Sequence, residues 1–164
     1  MSRTLDEPVV TCQVWDTAGM ERYRALLPHY MRHARCAVIV YDISNRESFD
    51  SVKNYWLDFV DCCGEEDLVK VLVGNKMDVP PGIRAVKAQE GEQLAISRGM
   101  VFLEASAKFG LNVDDIYVLA AKRAMAKPRP VRSDSVNSTS PVIKLDKRQQ
   151  SKFACCNVVR SIFK

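Results

Sequence analysis

Val69-Lys70-Val71-Leu72-Val73-Gly74-Asn75-Lys76-Met77-Asp78 is the stretch on which the fold turns. Its first half is a short apolar, β-branched run, the pattern of a strand buried on both faces. Its second half becomes polar at once, so chemistry-bearing side chains follow directly on the strand's end. Three other runs have the same texture. Val9 to Trp15 leads into Asp16-Thr17-Ala18-Gly19. Cys36-Ala37-Val38-Ile39-Val40-Tyr41 is a continuous apolar run, and Met100-Val101-Phe102-Leu103-Glu104 leads into Ala105-Ser106-Ala107-Lys108.

Helical spacing separates these strands. Ser44-Asn45-Arg46-Glu47 fits the S-x-x-E capping box, and the helix it opens carries Phe49, Val52, Trp56, Phe59 and Val60 on one face. Ala85 to Arg98 reads as a helix stopped by Gly99, and Val113, Ile116, Tyr117, Ala120, Ala121 and Ala124 mark another. Glu21 to His33 is a further helix, broken or kinked at Pro28. Strands alternating with helices predict an α/β fold, a mostly parallel sheet with helices on both faces.

The chain has 164 residues, 47% of them apolar and 27% charged. That balance suits one soluble domain and excludes wholesale disorder or a collagen-like fibre. No apolar run is long enough to span a bilayer, and no secretory h-region opens the chain, so a cytoplasmic protein is expected. Charge is divided: residues 1–121 carry 13 Lys+Arg against 18 Asp+Glu, whereas residues 122–164 carry 11 against 2. From Lys127 the apolar periodicity stops and Pro and Ser accumulate. The domain reading is therefore a globular unit at 1–126 and a flexible basic tail at 127–164, whose charge suits an anionic surface, lipid or nucleic acid. Of six cysteines, Cys12 and Cys36 read as small buried apolar residues, and no C-x-x-C pair supports a zinc or redox site. His29 and His33 lack an acidic third ligand and read as surface histidines. Ser106 has no paired base, and no catalytic residue is assigned.

In an open parallel sheet, ligands bind beyond the carboxyl ends of the strands. Asp78 is acceptor-only when ionised. It suits the N1–H and exocyclic amine that guanine presents side by side and adenine does not. Asn75 is placed to orient the loop or meet the ring, and the backbone N–H groups around Ala107 to donate to the guanine carbonyl. The aliphatic stems of Lys76 and Lys108 are placed to cover the ring. Asp16 suits a magnesium ion held through water, and the Gly19 amide a terminal phosphate.

Residues 9–126 resemble the Ras superfamily of small GTPases, and specifically its Rab branch. Trp15-Asp16-Thr17-Ala18-Gly19-Met20-Glu21-Arg22-Tyr23-Arg24 resembles that branch's W-D-T-A-G-Q-E-R-F. His29 to Ala34 resembles its Y-Y-R-x-A, and Val40-Tyr41-Asp42-Ile43-Ser44 its V-Y-D-I-T. Gly74 to Asp78 and Glu104 to Lys108 resemble its two guanine loops. The resemblance implies GTP/GDP and Mg2+ as ligands, slow GTP hydrolysis and a role in vesicle traffic. Asn75, Lys76, Asp78, Ser106, Ala107 and Lys108 would read the base, with Asp16 and Gly19 at the magnesium and phosphate end. Effectors and regulators would be met through Met20 to Ala34, the segment that reorders with the terminal phosphate. Trp15 and Tyr30 match two aromatics of the branch's effector surface. Cys155-Cys156 resembles its prenylated pair, which with the basic tail implies a monomer peripheral on the cytosolic face of endomembranes, with no nucleic acid partner. Eight residues follow that pair and no C-a-a-X box ends the chain.

Three features depart from the pattern. None of the seven glycines is followed by lysine, so the phosphate loop G-x-x-x-x-G-K-[ST] is absent from the 164 residues. Met20 stands where the family usually has the glutamine that orients the attacking water. The family's central first strand has no counterpart before Val9, which predicts an incomplete sheet with two unpaired inner edges flanking the gap. The base alone offers on the order of ten heavy atoms; at ~0.3 kcal/mol each that is ~3 kcal/mol, weaker than millimolar. Two readings follow: a Rab-like GTPase impaired in nucleotide binding, or a nucleotide-free interaction fragment that keeps part of an effector surface.

Overall fold

A computed structural model of the chain describes residues 10–18, 27–32, 34–127, 142–144 and 154–162. Six strands form one sheet: β1 (Val10–Ala18), β2 (Cys36–Asp42), β3 (Val69–Asn75), β4 (Val101–Ala105), β5 (Val142–Lys144) and β6 (Ala154–Ile162). The helices are α1 (Leu27–Met31), α2 (Arg46–Ser51), α3 (Leu57–Cys63), α4 (Ala88–Ser97) and α5 (Val113–Ala126). Among the described residues no helix is long and apolar enough to cross a membrane.

The alternation of side chains along β2 and β3 divides the core into two layers. Ala37, Ile39, Tyr41 and Leu72 face Phe49, Val52, Trp56, Leu57 and Ala95, contributed by α2, α3, α4 and the turn between α2 and α3. Val38, Val40, Val71 and Val73 face Ile116, Ala120, Ala121 and Ala124 of α5. The expected α/β architecture with helices on both faces is thus present, and Cys12 and Cys36 are buried as read. Burial, with Cys12 nearby as the lesser cause, pushes the Cys36 thiol up to about 12, so it is inert at neutral pH.

Helix ends follow side-chain chemistry more closely than the sequence motifs implied. Ser44 is not the cap expected of the S-x-x-E motif; its Oγ and N–H are both taken by Asp42 Oδ1, at 2.6 and 2.8 Å. Asn45, one residue later and extended, caps α2 by accepting from the Ser48 N–H at 3.2 Å. Val52–Trp56 winds as a π-turn between α2 and α3, which keeps both Val52 and Trp56 in the core. Gly99, at φ 62°, ends α4 in the left-handed conformation expected of it, and the Met100 N–H returns to the Ala95 carbonyl at 2.8 Å. Within Glu21–His33 the described residues form the short α1, which begins just before Pro28; residues 19–26 and 33 lie outside the described set.

Strand order is β4-β3-β2-β6-β1-β5. The expectation of two unpaired inner edges does not hold. β6 lies between β1 and β2 and runs parallel to both, from Val10↔Ala154 to Ala18↔Ile162 on one side and from Cys36↔Val158 to Val40↔Ile162 on the other. β5 runs antiparallel along the outer edge of β1, with Cys12 opposite Ile143. Both strands come from the segment read as a flexible tail; residues 128–141, 145–153 and 163–164 of that segment lie outside the described set. The physical reason is that parallel inner edges bare of hydrogen bonds are costly, and a segment bearing Val158, Val159 and Ile162 satisfies them.

Candidate functional site

Three strand ends share one row of the sheet. β2–β3 pairing sets Asp42 beside Asn75, and β3–β4 pairing sets Asn75 beside Ala105. The loops after β3 and β4 therefore leave the sheet together. Lys76 adopts a left-handed conformation (φ 68°). That turn lets the Met77 N–H donate to the Ala105 carbonyl at 3.0 Å, and the Val79 N–H donates to the Lys76 carbonyl at 3.0 Å.

Side chains then tie the two loops together. Asn75 Oδ1 accepts from the Ala107 N–H at 3.1 Å. Ser106 is wholly buried; its Oγ donates to Asp78 Oδ1 at 2.6 Å and accepts from the Phe109 N–H at 3.2 Å. The Ser106 N–H donates to the Leu111 carbonyl at 3.0 Å, closing the 106–111 loop. Asp78 is therefore held by one oxygen, while Oδ2 has no recorded protein partner among the described residues. A carboxylate oxygen has two lone pairs, so the Asp78 group keeps acceptor capacity for two adjacent N–H donors.

The two lysines behave differently from one another. Lys76 Nζ lies 2.6 Å from Asp42 Oδ2, which pins the lysine along the end of β2 while its side chain stays 55% exposed. Burial pushes the Asp42 carboxyl up, but the hydrogen bonds from Lys76 and Ser44 outweigh it and leave the group below the usual carboxylate range. Lys108 Nζ sits 5.0 Å from the centre of the Phe109 ring, a cation–π contact at the exposed loop tip.

Two supports of this site are invisible to periodicity and motif. Arg84 grips Glu104 with both forks, Nη1–Oε1 at 2.6 Å and Nη2–Oε2 at 2.8 Å, and its Nη1 also donates to the Val86 carbonyl at 3.2 Å. The pair ties the long connection after β3 to the end of β4, and the hydrogen bond to Glu104 raises the Arg84 pKa. Asn112, left-handed at φ 59°, donates from Nδ2 to the Glu104 carbonyl at 2.8 Å and steadies the start of α5. Neither pairing is local in sequence, and no spacing rule points to it.

The phosphate end is not assembled in the same way. Asp16 is exposed on β1, three strand positions from β3, which at ~4.8 Å per strand is about 14 Å across the sheet. Gly19 and Met20 lie outside the described residues. Among the described residues no group of three or more His, Cys, Asp or Glu is arranged to hold a metal ion. The Trp15 and Tyr30 rings do meet, with centroids 5.1 Å apart at 38°. A cavity of about 230 Å3 opens between α5 and the sheet, floored by Val38, Val40 and Val73 and flanked by Asn75 and Ala107. It falls below the ~300–1,000 Å3 of sites that enclose a whole drug-sized ligand.

A model described as the Ras family matches residues 2–126, about three-quarters of the chain. The chain belongs to the Ras family. Its similarity runs to the Rab branch. Over 134 residues it is 40% identical to Ras-related protein Rab-8B of Bos taurus, covering 82% of this chain and 64% of the bovine one. It is 35% identical to RAB1BV of Beta vulgaris over 158 residues, which is 93% of this chain and 72% of the plant protein. Rab-26 of Rattus norvegicus is 38% identical over 157 residues, 94% of this chain and 58% of the rat protein. This Ras-family chain thus spans less than two-thirds of the length of two of these three relatives. The two loops built above are the ones whose residues resemble the family's guanine loops. In this family member Asn75, Asp78, Ser106 and Ala107 converge, Lys76 and Lys108 border them, and Asp16 stands apart.

Proposed function

We propose that this Rab-like chain is a guanine reader with an impaired grip on the rest of the nucleotide. The observation that carries the reading is the cross-loop lock, Asn75 Oδ1 to the Ala107 N–H and Ser106 Oγ to Asp78 Oδ1. It pre-sets acceptors and donors at the strand ends without any ligand, which lowers the ordering cost of base recognition. In this arrangement Asp78 accepts from the N1–H and amine of guanine, a backbone N–H near Ala107 donates to its carbonyl oxygen, and the stems of Lys76 and Lys108 shield its faces.

Asp16 is a single exposed carboxylate on β1, and the lysine and hydroxyl that the family's phosphate loop brings to the magnesium and phosphates have no counterpart in the 164 residues. Met20 lacks the amide that would orient water for hydrolysis. Binding of a fluorescent GDP analogue with Mg2+ tests the reading. A Kd weaker than millimolar is expected, and submicromolar binding would overturn it.

The Trp15–Tyr30 ring pair favours a second role for the same chain, as an interaction fragment. Effector or regulator proteins would meet Met20 to Ala34 beside that pair. Under either reading the protein works in the cytoplasm as a monomer, and its basic segment together with Cys155-Cys156 suits attachment to an anionic membrane face. Capture of a Rab effector that is abolished by Tyr30→Ala, with GDP absent throughout, would mark the interaction role; loss of capture on removing nucleotide would exclude it.

A further inference from the structure

α3 closes on two adjacent cysteines that the base-reading loops do not use. Cys62 is exposed, Cys63 is half-buried, and both are free thiols. Adjacent side chains on a helix normally diverge by about 100° around its axis. Here the two thiols share a hydrogen bond, so their sulfurs face one another. We propose that Cys62-Cys63 is a vicinal-dithiol site that chelates soft, thiophilic ligands bearing an apolar substituent, with monosubstituted trivalent arsenicals as the chemical class. The site lies apart from the guanine loops, and its chemistry is independent of base recognition.

Three observations carry the site. The first is its seat. Asp61, just before the pair, accepts from Lys70 Nζ of β3 at 2.6 Å and from Arg98 Nη1 at the end of α4 at 3.3 Å. Arg98 Nη2 lies 2.9 Å from Asp58 Oδ1, and the Gly64 N–H donates to the Val60 carbonyl at 2.9 Å. The thiols therefore stand on a pinned helix end rather than a loose loop, which lowers the ordering cost of holding both to one ligand. The second is an aromatic ledge. Phe59 precedes Cys62 and Cys63 by three and four residues, the spacing that makes side chains neighbours on a helix. Its ring stacks on Tyr55, with centroids 6.0 Å apart at 19°, and Phe59 and Cys63 both pack against the same core layer. An apolar substituent thus finds an aromatic surface beside the sulfurs. The third is the donor count. Among the described residues no three or more His, Cys, Asp or Glu are grouped to hold a metal ion, whereas structural zinc takes four ligands. A monosubstituted arsenical brings its own carbon as third ligand and asks for two sulfurs. The bond count closes without a redox step. An arsenical R–As=O takes up two thiols, forms two As–S bonds and loses its oxygen as water, which carries off both thiol protons. Burial, with Cys62 as the lesser cause, raises the Cys63 pKa, so that thiol keeps the proton the step needs at neutral pH.

Retention of phenylarsine oxide against rising 2-mercaptoethanol, read by intact mass spectrometry with peptide mapping, tests the proposal. The sequence holds a second adjacent pair, so the reference protein is the full 164-residue chain with Cys155→Ser and Cys156→Ser. One arsenical per chain is expected, mapped to Cys62 and Cys63, held against the monothiol and released by a dithiol competitor. Cys62→Ser and Cys63→Ser each leave one sulfur, and each should lower the monothiol concentration that strips half the label by about 100-fold. Phe59→Ala should leave the chelate in place but reduce the preference for a phenyl over a methyl arsenical several-fold. Equal stripping from the reference protein and from either single-serine variant would overturn the chelate. Label on Cys12 or Cys36, which are 1% and 0% exposed, would overturn the assignment of the site. An unchanged phenyl preference in Phe59→Ala would overturn the role of the ledge.

Discussion

Gly91 sits on the buried face of α4 where the helix comes closest to the sheet, and replacing it with alanine tests the packing of the α4 layer directly. A Cβ built there lies 2.5 Å from the Tyr41 hydroxyl oxygen and 2.6 Å from two carbons of the Phe102 ring. Real side chains almost never come under 3.0 Å, and neither neighbour is a loose surface arm: Tyr41 is 1% exposed. Overpacking of this kind costs ~1–3 kcal/mol, and three simultaneous overlaps place it at the upper end. Alanine recovers ~1 kcal/mol over glycine through helix propensity. The net expectation is a loss of about 1–2 kcal/mol, or a fall in Tm of roughly 3–6 °C for a domain of this size. The Tyr41 hydroxyl sharpens the test, because it is buried with no hydrogen-bond partner among the described residues. Tyr41→Phe removes an unsatisfied group and should stabilise the parent by about 1 kcal/mol. In the Gly91→Ala background it also removes the nearest clash, so its gain there should be larger. Urea unfolding of the four proteins gives the coupling energy. A Gly91→Ala variant as stable as the parent, or additive effects of the two substitutions, would refute the packing argument.

Other outcomes follow from the site. Arg84→Ala leaves the half-buried Glu104 without its bidentate partner and should cost about 1–3 kcal/mol in urea unfolding; Arg84→Lys should recover only part. Ser106→Ala deletes both bonds of a buried hydroxyl and should cost about 1–2 kcal/mol while speeding amide exchange at Phe109. Asp42 has a folded-state pKa below its unfolded value of ~3.9. Its contribution to stability is therefore full above that value and is lost as pH falls through the folded pKa. Asp42→Asn should flatten the acid limb of a stability–pH curve below about pH 4, and an unchanged limb would count against the Lys76–Asp42 contact.

The residues that carry the fold were largely legible. Val38, Val40, Val71 and Val73 against Ala37, Ile39, Tyr41 and Leu72 show the two-sided burial that an unbroken apolar run implies. The loops after β3 and β4 were legible as motifs because the chemistry sits within five residues of each strand end. What sequence could not reveal is long-range. Arg84 meets Glu104 twenty residues away, and nothing in the spacing selects that partner. Ser44 looked like a cap, but Asp42 lies two residues back and competes for the same hydroxyl. The pairing of 154–162 with β1 and β2 is equally long-range. The segment's Pro- and Ser-rich approach and its basic charge dominate a local reading, whereas its place in the sheet is set by two bare edges elsewhere in the chain.

That placement has a consequence for how the molecule is made. Val10 leaves the ribosome long before the parallel neighbour it pairs with, Ala154. Until Ala154 follows, the half comprising β2, β3 and β4 with its helices can condense alone, while β1 waits as an unpaired, apolar strand. Such high contact order slows folding, and an early strand kept waiting is a target for chaperones and for misassembly between nascent chains.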